Sequence, residues 1–249
     1  MPHFTKRPAQ PQAALAEAAG LRWLAEASSA VAQVVSADAE QITTVGVETQ
    51  LPTPDAAFKA GEELARIHLA GAPAFGCPPA GWAGLNYIGT QGQACLSTPT
   101  WGVFYSQQRV LPFARRARRR NHLTEHALWV VEAACDLISE LPDDVPPARI
   151  HGDLWFGNLL FGTDGPVFID PAAHGGHPET DLAMLDVFGA PYLDEIREGY
   201  LSINPLPDGW RERTPMHQLH PLAVHAASHG PSYGVELLHA AKATLKLLD

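Results

Sequence analysis

The sequence predicts an α+β fold in which a short β-containing N-terminal lobe precedes a mainly helical C-terminal lobe. Three observations predict it. Strand-like runs crowd into the first fifty residues, and helical periodicities fill most of the chain after residue 51. Between two groups of those helices, one apolar–turn–apolar pattern at residues 159–169 reads as a β-hairpin. Leu51-Pro-Thr-Pro-Asp55 is a linker, which gives a truncated lobe over residues 1–50 and a larger lobe over residues 51–249.

Taken in order, Phe4-Thr5-Lys6 reads as a strand stub, and Ala13 to Ala27 as an amphipathic helix. Leu15, Leu21 and Leu24 of that helix are apolar, and Glu17 lies on another face. Val31–Val35 and Ile42–Val47 are short strands. Thr53 or Asp55 caps a helix that runs to about His68, because a short side-chain oxygen there can accept from a free amide of the first turn. Residues 71–99 are rich in Gly and Pro and are expected to be irregular, draped over the surface. Helical patterns return at 100–119 and 123–140, then after the hairpin near 181–187, 190–202, 212–228 and 232–248.

Composition narrows the function. With 249 residues, 46% hydrophobic and 18% charged, the chain has ample material for a core. No apolar run approaches the ~18 residues of a membrane span, and the first residues lack the apolar segment of a signal peptide. Cys77, Cys95 and Cys135 form no CxxC motif or disulfide framework, so a cytoplasmic location is expected. A net charge of −10 disfavours nucleic acid as a partner. The basic run from Arg115 to Arg120 is read as the solvated end of a helix, where cations complement the C-terminal dipole. Twelve histidines include pairs at ligand-like spacing, but without a His-Glu-x-x-His motif or a nearby cysteine they do not predict a transition-metal site.

The chemistry is concentrated in His151-Gly-Asp153-Leu-Trp155-Phe-Gly157-Asn158 and, beyond the hairpin, Ile169-Asp170. An Asp followed five residues later by Asn is the spacing of a kinase catalytic loop, where the Asp orients the attacking hydroxyl and the Asn holds Mg²⁺. Leu159–Phe161 and Pro166–Ile169 flank Thr-Asp-Gly, so the hairpin would bring its open end together and set Asn158 beside Asp170. Two oxygen ligands there, completed by ATP phosphates, suit a hard cation such as Mg²⁺. Only eleven positions separate Asp170 from Asp181, too few for the activation segment on which a protein substrate lies, so a small acceptor is expected.

On these residues the chain resembles the fructosamine-3-kinase (ketosamine kinase) family of the aminoglycoside-phosphotransferase-like, protein-kinase-like fold. The likeness runs through residues 151–158 with Trp155, Ile169-Asp-Pro-Ala172, Gly176-His-Pro-Glu-Thr-Asp-Leu-Ala-Met184, Asn86-Tyr-Ile88-Gly89, and Trp101-x-x-Phe-Tyr-x-x-x-Arg109. The resemblance implies an ATP- and Mg²⁺-dependent kinase that phosphorylates the 3-hydroxyl of a ketosamine, whose unstable product frees the amine. By motif position it makes Asp153 the catalytic base, Asn158 and Asp170 the metal ligands, and Lys6 the anchor of the ATP phosphates. Glu17 would pair with Lys6, Asp181 would brace the catalytic loop, and His151 would lock that loop by hydrogen bonding. Trp155, His177 and Asn86 are the candidates to touch substrate, with loops 84–99 and 173–180 shaping its pocket.

The chain also departs from the family pattern. No Gly-x-Gly-x-x-Gly or Walker motif precedes or follows Lys6, and His174-Gly175 and Pro178 replace a Tyr pair and an Arg. Two alternatives therefore stay open: a kinase for another small amino-sugar or aminoglycoside-type acceptor, and a kinase-fold protein that binds nucleotide or metabolite without turnover. A homodimer that completes the short β lobe is a further expectation.

Overall fold

A computed structural model describes residues 2–249. The chain packs as two compact units. One comprises the chain up to Leu96 together with Pro147–Leu206; the other comprises Ser97–Pro146 and Pro207–Asp249. The linker at residues 51–55 lies inside the first unit.

The first unit opens with strand β1 (His3–Lys6), helix α1 (Ala13–Ala25) and strands β2 (Val34–Ala37) and β3 (Ile42–Val45). The three strands form an antiparallel sheet in the order β1-β3-β2, with Lys6 opposite Ile42. Helix α2 (Pro54–Leu69) starts where the sequence places it: Pro54 needs no amide partner at the first position, and the Thr53 side chain accepts from the Ala56 amide. Hairpin strands β7 (Leu159–Gly162) and β8 (Gly165–Phe168) pair with Leu159 opposite Phe168, so the open end of the hairpin carries Asn158 and Ile169. The Ile169 amide donates to the Asn158 carbonyl at 3.0 Å and closes that end.

Two features of this unit depart from the sequence reading. Residues 71–99 do not drape over the surface: Phe75, Cys77, Asn86, Ile88, Gln91, Gln93 and Cys95 are buried. Within the stretch, β4 (Asn86–Ile88) and β5 (Gln91–Gln93) form a tight hairpin whose turn uses Gly89 at φ +54°. Residues 173–180 are likewise not a loop. β6 (Ala148–Ile150) pairs with β9 (His174–Gly176), and helix α6 (Pro178–Phe188) follows directly. Three-residue strands carry too short an alternation to be read from sequence.

Helix α7 (Leu193–Ile203) crosses α2 at very close range. A methyl group at Gly61 would collide with the Ile196 carbonyl, and one at Gly199 with the Phe58 carbonyl. Each helix presents a glycine to the other's backbone. The core of the unit joins Leu21, Leu24, Ile42, Leu64, Ile67, Leu159, Phe161, Phe168 and Tyr200.

The second unit contains α3 (Trp101–Phe104), α4 (Leu111–Arg119), α5 (Glu125–Ser139), α8 (Thr214–His217), α9 (Leu219–His229) and α10 (Pro231–Leu248). The helix expected over 100–119 is interrupted by a π-helical segment at Tyr105–Val110. Pro112 has no amide to donate back to Gln108, and the Gln108 carbonyl accepts from the Arg109 guanidinium at 3.2 Å instead. The same chemistry divides the helix expected over 212–228. Pro221 cannot donate to the His217 carbonyl, which accepts the Tyr105 hydroxyl at 2.7 Å, while the His220 amide donates to that hydroxyl. The arginine run ends α4, with Arg115 paired to Glu132 at 3.1 Å.

Candidate active site

The site is built from four places in the first unit. β1 ends in Lys6, α1 supplies Glu17, the loop after β6 supplies Asp153 and Asn158, and the residue after the β7–β8 hairpin is Asp170. Lys6 Nζ lies 2.7 Å from Glu17 Oε2 and 2.8 Å from Asp170 Oδ1. Burial would lower the Lys6 pKa, but its two carboxylate neighbours hold it above the ordinary value. One ammonium does not neutralise both acids, and burial pushes the Glu17 carboxyl up to about 7 despite Lys6. Glu17 is thus buried beside the sheet, because α1 is covered on nearly every side rather than on one apolar stripe.

Asn158 Nδ2 donates to the Asp153 backbone carbonyl at 2.8 Å and approaches its carboxylate Oδ2 at 3.3 Å. That amide orientation leaves the Asn158 side-chain oxygen as a donor atom for a cation. Burial, and then the negative charge of Asp170, push Asp153 up to about 8, against the hydrogen bond from Asn158. Asp170 adopts φ +53°, a left-handed conformation that costs most side chains energy and that Asp tolerates better than most. Strained backbone of this kind concentrates at functional sites.

The backbone of residues 151–153 is held from beneath. Asp181 accepts the His151 amide at 2.7 Å and the Gly152 amide at 2.9 Å. His151 Nε2 donates to the Ile169 carbonyl at 2.8 Å, and its Nδ1 accepts the Asp153 amide at 3.3 Å. Burial holds the His151 pKa below its usual value, which agrees with a neutral ring using one nitrogen each way. Gly152 sits at φ +78°, and a methyl group there would strike the Ala172 carbonyl.

Two cavities meet at Lys6, Glu17 and Asp170. One, of about 550 Å³, is walled largely by apolar side chains, among them Phe4, Leu21, Ile42, Val47, Leu160 and Ile169. The other, of about 330 Å³, is more polar than the first and includes Asp153, Asn158, Trp155, Asn86, Tyr87 and Thr90. Trp155 is 44% exposed, and its indole lies on Gly157, where any Cβ would overlap the ring. Asn86 is buried, donates to the Ala173 carbonyl at 2.8 Å and borders the same cavity.

His177 does not border it. Its ring is buried and accepts the Glu179 amide as the N-cap of α6, because 174–188 fold into β9 and α6. Sequence reasoning also missed His68 and Tyr200, which stand behind Asp181. No motif marks them, since their partnership exists only where α2 meets α7.

The donor set at the hairpin mouth fits a hard divalent cation. It comprises the Asn158 amide oxygen and the Asp170 carboxylate, and two carboxylates, Glu17 and Asp170, share the single Lys6 ammonium.

The fold is that of the aminoglycoside-phosphotransferase-like kinases. Spectinomycin phosphotransferase, solved with ADP and spectinomycin, superposes at a TM-score of 0.58 with 15% identity over 99% of this chain and 82% of that one. A Thermobifida fusca crystal structure, provisionally named a fructosamine-3-kinase, is 46% identical and superposes at 0.92, covering 98% of this chain and 86% of that one. The fructosamine kinase family profile matches residues 4–247. This chain belongs to the fructosamine kinase family. A probable ketoamine kinase of Enterococcus faecium is 36% identical over 179 residues, covering 70% of this chain and 62% of its own length. Another from Vibrio parahaemolyticus is 30% identical over 239 residues, covering 92% and 78%. The chain therefore spans somewhat less than two thirds of the first of these relatives. Among the described residues no helix is long and apolar enough to cross a membrane.

Proposed function

We propose that this chain is an ATP- and Mg²⁺-dependent kinase that phosphorylates the sugar hydroxyl of a ketosamine, a fructosamine or ribulosamine, for deglycation or salvage in the cytoplasm. The observation that carries the reading is that Lys6, Glu17 and Asp170 line both cavities. A purine suits the apolar one, with its phosphates extending past Lys6 toward Asp153 in the polar one. Residues 1–50 would supply the phosphate anchor and residues 51–249 the catalytic loop.

In this reading the acceptor hydroxyl lies against Asp153. Its oxygen bonds to the γ-phosphorus, the bond from that phosphorus to the ADP oxygen breaks, and the hydroxyl proton passes to the Asp153 carboxylate. Burial makes the ionised Asp153 a stronger base than an ordinary carboxylate, and a cation held by Asp170 would favour that ionised form. Lys6 holds the phosphates and Glu17 fixes Lys6. Asn158 and Asp170 would hold Mg²⁺, which would supply neutralisation of phosphate charge. Trp155 and Asn86 face the acceptor side, while Asp181 and His151 keep the loop in place. Family membership supports the ketosamine as acceptor.

The test is phosphate transfer from Mg²⁺-ATP to fructose-lysine and ribulose-lysine, with Asp153→Asn in parallel. Transfer to at least one, reduced by roughly 10²–10⁴-fold in the variant, is expected. Folded protein that binds ATP but transfers to neither would overturn the acceptor assignment.

A further inference from the structure

Hairpin β4–β5 has three cross-strand pairs and no third strand, and a ribbon of that size does not hold its shape unaided. Two of its anchors reach segments that border the active site. At its root, the buried Asn86 side chain donates to the Ala173 carbonyl at 2.8 Å and accepts the Tyr87 amide at 2.7 Å. Along its flank, the Tyr87 hydroxyl donates to the Pro11 carbonyl at 3.0 Å. Side chains alternate along a strand, so Asn86 and Ile88 are buried while Tyr87 points to the other face and is half-buried. Its cross-strand partner is Gly92, which leaves no side chain on β5 to compete for the space beside the ring.

Pro11 belongs to the link between Lys6 of β1 and Glu17 of α1. Pro8 and Pro11 fix φ in that link, Gln12 turns it at φ +65°, and the Gln12 amide is tied to the Ala39 carbonyl at 3.3 Å. The Pro11 carbonyl is thus presented by constrained backbone. The link contributes Pro8 and Ala9 to the wall of the smaller cavity, and the hairpin contributes Tyr87 and Thr90. The bond from Tyr87 to Pro11 joins the two contributions. Asn86 also borders this cavity, but its amide is spent on backbone groups at both ends, whereas Tyr87 offers an aromatic face. Among the described residues, Tyr87 and Trp155 are the aromatic side chains of that wall, and neither lines the larger, apolar cavity.

We propose that Tyr87 is a specificity-determining residue of the acceptor site: tied to Pro11, its ring forms a fixed aromatic wall on which the C–H face of the acceptor sugar packs. A sugar carries hydroxyls at its edge and C–H groups on its face, so an aromatic wall takes the face while Asp153 takes a hydroxyl. The tie to Pro11 holds the ring in place before the sugar arrives, which removes part of the ordering cost of binding. The identity of the acceptor rests on the kinase reading above, whereas the tie between hairpin and link does not. A wall of this kind acts on the acceptor and leaves the nucleotide cavity as it was.

The experiment compares the full chain with Tyr87→Phe and Tyr87→Leu. Steady-state kinetics reads the KM for ATP and for fructose-lysine or ribulose-lysine, and amide hydrogen exchange over residues 86–93 reads the hairpin. Tyr87→Leu removes both the face and the tie, and is expected to raise the KM for the ketosamine roughly 2–13-fold with the KM for ATP unchanged. Tyr87→Phe keeps the face and loses the tie. Its hairpin amides are expected to exchange faster than those of wild type, with a ketosamine KM between those of wild type and Tyr87→Leu. A wild-type ketosamine KM in Tyr87→Leu overturns the proposal. So does an equal rise in both KM values, which marks a loss of structure with no preference for the acceptor, and so does unchanged hairpin exchange in Tyr87→Phe. Wild-type protein that binds ATP but transfers to neither ketosamine fails the proposed reaction, and with it the acceptor role of Tyr87. The exchange arm then still decides the tie to Pro11.

Discussion

Lys6 Nζ stands 2.8 Å from Asp170 Oδ1 and 2.7 Å from Glu17 Oε2, so a residue of the first strand is tied to the end of a hairpin formed much later in the chain. The two carboxylates place that ammonium at the junction of an apolar and a polar cavity. A phosphate chain crossing the junction would pass over it.

Replacing Lys6 by Met should weaken ATP binding by roughly 10–100-fold. That follows from losing charge-assisted contacts worth about 1.5–3 kcal/mol. Calorimetry with ATP and Mg²⁺ reads the change directly, and an unaltered affinity would remove Lys6 from the nucleotide site.

The pH dependence of stability should identify Asp153. Its carboxyl is pushed up to about 8 in the folded chain, above its value in an unfolded one, so the folded state binds the proton more tightly. Stability from this group is fully present below the unfolded pKa near 4 and is lost as pH rises through about 8. Asp153→Asn removes that loss. Its Tm relative to wild type, without nucleotide or metal, should climb between about pH 4 and pH 8. A difference independent of pH would mean that Asp153 is not raised.

The α2–α7 crossing should tolerate no side chain at either glycine. Gly199→Ala would press a methyl group into the Phe58 carbonyl and separate the helices, at a cost of about 1–3 kcal/mol or more. Thermal denaturation of Gly199→Ala and Gly61→Ala should show a lowered Tm in both. Wild-type melting in either would refute the close packing.

Trp155 and Gly157 should act as a pair on the acceptor. Gly157→Ala displaces the indole from its seat, and Trp155→Ala removes it, so both should raise the KM for the ketosamine by roughly 2–13-fold, the equivalent of about 0.5–1.5 kcal/mol of aromatic contact. The KM for ATP should hold, because Trp155 borders only the polar cavity. Equal effects on both substrates would place Trp155 elsewhere in the mechanism.

Much of this arrangement could be read before any fold was known. The Asp153–Asn158 spacing and the Thr-Asp-Gly turn put Asn158 and Asp170 at the mouth of one hairpin, because a hairpin is a local structure with a fixed register. Thr53, read with Asp55 as a candidate cap, marked the start of α2 for an equally local reason. The interior of residues 71–99 was hidden, since Gly- and Pro-rich composition describes backbone freedom and says nothing of burial. The breaks at Pro112 and Pro221 were present as letters, yet what makes them tolerable is a distant partner, Arg109 for one and Tyr105 for the other. The burial of His177 was hidden for a related reason: β9 and α6, which turn it into the interior, are not legible in the letters around it.

The sequence by itself determined the hairpin mouth, the Asp153–Asn158 spacing, the family and the major helices, because each depends on contacts within a few residues or on a pattern repeated along one element. Only the tertiary structure decided that Lys6, Glu17 and Asp170 meet, that two cavities share them, and that Tyr200 and His68 stand behind Asp181. Those relationships join segments far apart in the chain. Their geometry is set by helix crossings and strand register, which no local propensity encodes.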